Sequence, residues 1–265
     1  MSMQANSVLH ARCLVVLAAF IVLSESGSSR KSIAGDIEPD SKNSAKWIEL
    51  IGPSGQLDEW GPPATGWFNV GGVYLNAGDL KKLVPSTGKG VVYNGPKGRA
   101  MNLISKSGFG DVEFHAEFLV PKGSNSGVKF EAVYEIQIFD SYGVKKATAS
   151  HTGGIYPRAE LLPRYHHIDE GYPPKINACK PPGEWQTLDI NFRAPKFDVD
   201  GKKVANARFD KVMLNGQVVQ ADQEVLYPTG NNWRNKEQPT GAIMLQGDHG
   251  SVAFRNVRVR PLPAR

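Results

Sequence analysis

The feature that most constrains the fold is the spacing of apolar residues between Asp111 and Val120. Val112, Phe114, Ala116, Phe118 and Val120 alternate with Glu113, His115 and Glu117. A period of two places one set on each side of an extended chain, so the segment reads as a half-buried strand. Shorter runs of the same kind recur at Trp47 to Ile51, Phe68 to Leu75, Gly90 to Tyr93, Asn102 to Ser105 and Val128 to Val133. They return at Trp185 to Phe192, Gly241 to Gln246 and Val252 to Val259, and Asn215-Gly216 between Val212-Met-Leu and Val218-Val219 marks a tight hairpin. No stretch keeps a helical period for more than two turns, and there is no internal repeat or heptad. With 28 Gly and 18 Pro the chain is rich in turns, and 40% hydrophobic residues suffice for a core. The pattern predicts an all-β fold of two antiparallel sheets packed face to face, with jelly-roll connections. Pro121 to Gly127 is expected to turn the Asp111 to Val120 strand back, antiparallel, into Val128 to Val133.

The first residues carry Arg12 and then an apolar run, Cys13 to Leu23, followed by Ser24 and Ser26. This is the pattern of a secretory signal peptide, expected over 1–26. Residues 27–44 are polar without apolar periodicity and read as a flexible tether, leaving 45–263 as one domain. After cleavage Cys179 is the single cysteine of a chain expected to be secreted or periplasmic, so burial and not a disulfide must stabilise it. No apolar run after Leu23 is long enough to cross a bilayer as a helix. The net charge of +5 is spread along the chain, and its densest basic stretch, Arg255 to Arg265, alternates with apolar residues. Nucleic-acid binding is not expected, because no basic and aromatic motif accompanies that charge.

Chemistry concentrates in Tyr134-Glu-Ile-Gln-Ile-Phe-Asp140. Glu135 and Gln137 share one strand face, and a β-bulge near Phe139 would bring Asp140 onto it as well. Carboxyl groups and an amide in a line suit a groove that cleaves glycosidic bonds, and equally a solvated outer face. Gln246-Gly-Asp248-His249 and Arg255 offer an acid or base and a positive charge to hold an oxygen. Tyr156, Tyr165, Tyr172 and Trp233 could stack on sugar rings or serve as packing. Glu113, His115 and Glu117 are groove residues or exterior. His166-His167-Ile-Asp169-Glu170 lacks the spacing of a zinc protease, and no metal is expected. Neither a Gly-x-Ser-x-Gly elbow nor a complete dinucleotide fingerprint is present, and no cofactor is expected. The proline-rich interval between Asp140 and Trp185 is long for a structureless loop, which points to a functional one.

Asn125-Ser-Gly-Val128, Tyr134 to Asp140, Gly183-Glu-Trp-Gln186, Leu214-Asn-Gly216, Leu245-Gln-Gly-Asp-His-Gly250 and Phe254-Arg-Asn256 occur in an order that resembles the 3-keto-disaccharide hydrolase family. The resemblance spans roughly Trp47 to Leu262 and implies a concanavalin A-like lectin/glucanase sandwich, related in shape to the family 16 glycoside hydrolases. Glu135-Ile-Gln137-Ile-Phe-Asp140 resembles their bulged Glu-x-Asp-x-x-Glu strand, with Gln for the middle Asp and Asp for the last Glu. Glu131 stands where the hydrolase family usually has Arg.

The resemblance implies cleavage of a glucoside or disaccharide carrying a ketone at C3, supplied by a separate sugar oxidoreductase. Such a ketone acidifies the C2 proton, so that a base can start an elimination. Expected roles are Glu135 as base or nucleophile and Asp140 as proton donor. Gln137, Gln246, Asp248, His249, Arg255 and Trp233 are expected to bind substrate. The alternative is a non-catalytic, lectin-like carbohydrate-binding module of the cell envelope.

Overall fold

Alternation along the chain resolves into two main antiparallel sheets, with two separate two-stranded pairs beside them, in the computed structural model, which describes residues 45–62 and 64–263. The expected signal peptide at 1–26 and tether at 27–44 lie outside the described residues. In chain order the strands are β1 (Ile48–Ile51), β2 (Phe68–Asn76), β3 (Asp79–Tyr93), β4 (Leu103–Phe109), β5 (Val112–Leu119), β6 (Asn125–Phe130), β7 (Tyr134–Phe139) and β8 (Ala159–Glu160). They continue with β9 (His166–His167), β10 (Gln186–Arg193), β11 (Lys196–Phe197), β12 (Lys203–Ala205), β13 (Ala207–Leu214), β14 (Gln217–Val225), β15 (Gly241–Leu245) and β16 (Ala253–Pro261). No helix occurs among the described residues.

The larger sheet runs β14-β13-β10-β5-β16-β3-β2, with β1 also on β16, and the smaller runs β4-β15-β6-β7. Successive strands change sheet at β3 to β4, β4 to β5, β5 to β6, β14 to β15 and β15 to β16. The protein is therefore an all-β, two-sheet antiparallel jelly-roll sandwich.

The alternating residues of β5 point inward: Val112, Phe114, Ala116 and Phe118 are buried, as are Leu188, Ile190 and Phe192 of β10. From the smaller sheet they meet Val128, Phe130, Tyr134, Ile136 and Ile138. Phe130 joins the two layers, with ring centroids 4.8 Å from Phe192, 5.5 Å from Phe114 and 5.8 Å from Phe209. Stacked and edge-on geometries of this kind add to what the buried area contributes.

The opposite face of β5 is exterior. Glu113 accepts from Arg260 at 2.8 Å and Glu117 from Arg255 at 2.8 Å, while His115 contacts Asp189 at 2.6 Å. Two of the three arginines of the C-terminal strand β16, Arg255 and Arg260, are thus neutralised by its neighbour, and arginines of the strand also stack on tryptophans: Arg255 over Trp185 at 4.1 Å, Arg258 over Trp47 at 4.8 Å.

Two local expectations change. The turn after β5 does not return the chain alongside it: β5 pairs with β10 and β16, while β6 crosses to the smaller sheet and pairs with β7. Residues 131–133, read as the end of a strand, form the β6–β7 turn, with Glu131 at φ 53° and Ala132 at φ 57°.

Truncating the residue that joins the layers, Phe130→Ala, should lower unfolding free energy by about 3–5 kcal/mol, read by chemical denaturation.

Candidate active site

In β6 and β7 the register runs unbroken from Asn125↔Phe139 to Phe130↔Tyr134, with Lys129 opposite Glu135 and Gly127 opposite Gln137. Residues directly opposite across an antiparallel pair share a face. Tyr134, Ile136 and Ile138 therefore enter the core, and Glu135, Gln137 and Lys129 turn to the other side of the smaller sheet. That side is also buried: Glu135 is 4% exposed, Gln137 2% and Lys129 6%.

The cover comes from the proline-rich interval. Gly153 donates to the Gln137 carbonyl, Gln137 to the Gly154 carbonyl and Tyr156 to the Glu135 carbonyl, at 2.9–3.1 Å, so residues 153–156 add to the outer edge of β7. The interval is partly structured, since β8 and β9 pair within it. His167 of β9 lies 3.2 Å from the Tyr156 hydroxyl, which is 2.7 Å from that of Tyr165. His166 instead contacts the Arg164 carbonyl at 3.0 Å.

Between this cover and the loop at 230–238 lies a cavity of about 920 Å³, of a size to hold a small glycoside. On its floor the Lys129 ammonium is 3.1 Å from the Glu135 carboxylate and 3.3 Å from the Asn232 side-chain oxygen. Taking both charges out of water is tolerable because they are paired. Gly127 makes room for the carboxylate: a Cβ there would lie 2.5 Å from Glu135 Oε1. Amides surround the pair, and the side-chain oxygens of Asn125 and Gln246 are buried with no hydrogen-bond partner among the described residues. Buried acceptors left unpaired in this way are what a sugar hydroxyl would satisfy after a small shift of the side chains. Tyr156 and Tyr165 form part of one wall, and both hydroxyls are raised above the ordinary 10.0 by burial, with the Glu135 charge adding to the effect.

Glu131, at the hairpin tip, also borders the cavity, and neither of its buried carboxylate oxygens has a hydrogen-bond partner among the described residues. Burial, followed by repulsion from Glu237 and Asp111 and only partly offset by Lys196, pushes its pKa up to about 8. The group is therefore mostly protonated at neutral pH.

Of the residues singled out from sequence, Glu135, Gln137, Tyr156, Tyr165, Gln246, Asp248 and His249 border this cavity. Asp140 does not. No bulge interrupts β7, so Asp140 keeps its opposite parity, and its carboxylate accepts from the Gly123 N–H at 3.0 Å, closing the turn before β6. Arg255 belongs to the other sheet: Phe254 beside it points into the core, which aims Arg255 outward to Glu117 and Trp185. Trp233 stacks with Arg234 at 4.5 Å and Arg158 at 5.5 Å and does not border the cavity. Lys129 was missed, although Val128-Lys129-Phe130 alternates in a way that opposes it to the core.

A family model described as the 3-keto-alpha-glucoside-1,2-lyase-like domain matches residues 46–260. Among solved structures, a protein of Parabacteroides distasonis ATCC 8503, provisionally classed as a glycosyl hydrolase, is 27% identical, with a TM-score of 0.57 over 82% of this chain and 84% of that one. A second protein of that organism, classed in the same way, is 20% identical, with a TM-score of 0.52 over 82% and 100% of the two chains, and shares the fold. Comparison with curated proteins gives no match.

Two outcomes follow from the floor and the hairpin tip. Gly127→Ala should press Glu135 away from Lys129 and lower kcat/KM at least tenfold, about 1.4 kcal/mol in the barrier, in steady-state assays. Glu131 holds its proton when folded up to about pH 8 and, when unfolded, only to its ordinary 4.5. Its contribution to stability is complete below pH 4.5 and lost as pH rises through 8. Glu131→Gln should therefore stabilise by roughly 1–3 kcal/mol at pH 8.5 and much less at pH 4.5, read by denaturation at both pH values.

Proposed function

The chain belongs to the 3-keto-alpha-glucoside-1,2-lyase-like family, and on that premise we propose that its cavity cleaves a glucoside or disaccharide oxidised to a ketone at C3. The observation that carries this reading is the floor: one buried carboxylate, Glu135, faces an ammonium, Lys129, instead of a second carboxylate. Direct displacement at a glycosidic carbon uses two carboxyl groups flanking the bond. Elimination beside a ketone uses a base and a positive group for the enolate oxygen.

In this mechanism Glu135 removes the C2 proton, and the electrons of that C–H bond form an enolate whose oxygen, on C3, is stabilised by Lys129. The enolate collapses to a C1–C2 double bond as the C1–O bond breaks and the leaving oxygen keeps its electron pair. Water then adds at C1 and restores the C2–H bond, so the net reaction is hydrolysis with no redox change. Asn125, Gln137 and Gln246 hold sugar hydroxyls, and Asp248 and His249 border the entrance. The ketone must come from a sugar oxidoreductase acting earlier, and the N-terminal segment favours a secreted or periplasmic setting for both steps.

Glu135→Gln should lower kcat/KM on 3-keto glucosides by a factor on the order of 10²–10⁴ while retaining binding, measured by aglycone release and calorimetry. A fully active variant would end the assignment. Release from ordinary glucosides by the unaltered chain would favour displacement, and binding without release from either substrate would favour the lectin-like alternative.

A further inference from the structure

Elimination leaves one requirement unmet. Glu135 takes up the C2 proton, so the oxygen departing from C1 needs a proton from elsewhere unless it is a stable anion. Asp140, expected in that role, is engaged with Gly123 outside the cavity. Lys129 is committed to Glu135 and Asn232, Asp248 is paired with His249 at the rim, and Glu131, though protonated at neutral pH, has both carboxyl oxygens buried away from the cavity surface.

The cavity lining has two hydroxyl groups, those of Tyr156 and Tyr165. They sit 2.7 Å apart, and Nε2 of His167 lies 3.2 Å from the Tyr156 oxygen. The His167 ring meets both tyrosine rings edge-on, at 5.4 Å from Tyr156 and 5.6 Å from Tyr165, so the three are packed as well as hydrogen-bonded. Tyr156 is tied to the floor by its backbone N–H, which donates to the Glu135 carbonyl at 3.1 Å. The row is open at both ends, since His167 is exposed and Tyr165 is 51% exposed, so that with a glycoside seated over Tyr165 the His167 end keeps its contact with solvent. A row of exchangeable protons thus connects solvent to the wall beside the base.

We propose that Tyr165 is the proton donor to the departing glycosidic oxygen, with Tyr156 and His167 restoring its proton from solvent. The inference rests on the reading of Glu135 as base. As the C1–O bond breaks, its electron pair stays on oxygen, the Tyr165 O–H bond breaks and a new O–H bond forms on the leaving group. Tyr156 passes its hydroxyl proton to the Tyr165 phenolate and takes one from the imidazolium form of His167, which is recharged by water. The raised affinity of both phenols for their protons keeps them loaded at neutral pH.

The test uses leaving groups that differ in their need for a proton. The full chain and its Tyr165→Phe and Tyr156→Phe variants would be assayed on the 3-keto glucosides of 4-nitrophenol, which leaves as a stable anion, and of methanol, which does not. Tyr165→Phe is expected to lose a factor of about 10²–10⁴ in kcat/KM on the methyl glycoside and only about threefold on the nitrophenyl one, the span of a lost general acid. Tyr156→Phe should show the same selectivity at smaller size. Equal losses on both glycosides, with unchanged melting, would overturn the donor assignment while leaving Glu135 as base. Inactivity of the unaltered chain on both would overturn the Glu135 reading and this one with it.

Discussion

Lys129 and Glu135 face each other across β6 and β7 with side chains only 8% and 5% exposed, and the rest of the site is arranged around that pair. Each charge alone would cost several kcal/mol to remove from water. Together they allow the smaller sheet to be covered on its outer side, which is what turns an open sheet face into a cavity. The cover depends on the strand in return: residues 153–156 hydrogen-bond to the β7 edge, where Glu135 and Gln137 supply backbone partners as well as side chains. Gly127 completes the arrangement by leaving space that any Cβ would fill.

The sandwich was largely legible because its core strands are half-buried and announce it by alternation. β5 and β10 are the clearest cases, and the Asn215-Gly216 hairpin lies where its residues predict, with φ of 52° and 78°. What escaped the sequence follows from the same physics. The first part of β3, near Lys81, Lys82 and Pro85, pairs with the edge strand β2 and is mostly exposed, so it has no apolar period to read. The β6–β7 turn was invisible because Glu131 and Ala132 adopt positive φ without the glycine or asparagine that signals such a turn.

The candidate site divides along a similar line. Residues on β7 and near β15 were found, because strand parity alone assigns Glu135 and Gln137 to one face. Asp140 was misplaced by one assumed bulge, and a single residue of register reverses the face of every side chain beyond it. Arg255 failed for a different reason: motif order says nothing about which sheet a strand joins, and β16 joins the larger one. The wall formed by Tyr156 and Tyr165 depends on how a proline-rich interval folds back, which no periodicity encodes.

The strained turn and the ion pair belong to one constraint. A three-residue connection between Phe130 and Tyr134 is what sets Lys129 opposite Glu135, and lengthening it by one residue would send one partner into the core. Two non-glycine residues at positive φ cost on the order of 1–3 kcal/mol each, and Glu131 adds a buried carboxyl with no hydrogen-bond partner among the described residues. Its raised pKa softens that cost, since a neutral carboxyl is cheaper to bury than a charged one. It also has a consequence for the chemistry. With Glu131 protonated, the hairpin that presents the pair carries a single carboxylate charge bordering the cavity, that of Glu135, balanced by Lys129. A second negative charge at the tip would compete for the ammonium and oppose the formation of an enolate beside it. The tip therefore contributes to the proposed reaction through the charge it does not carry.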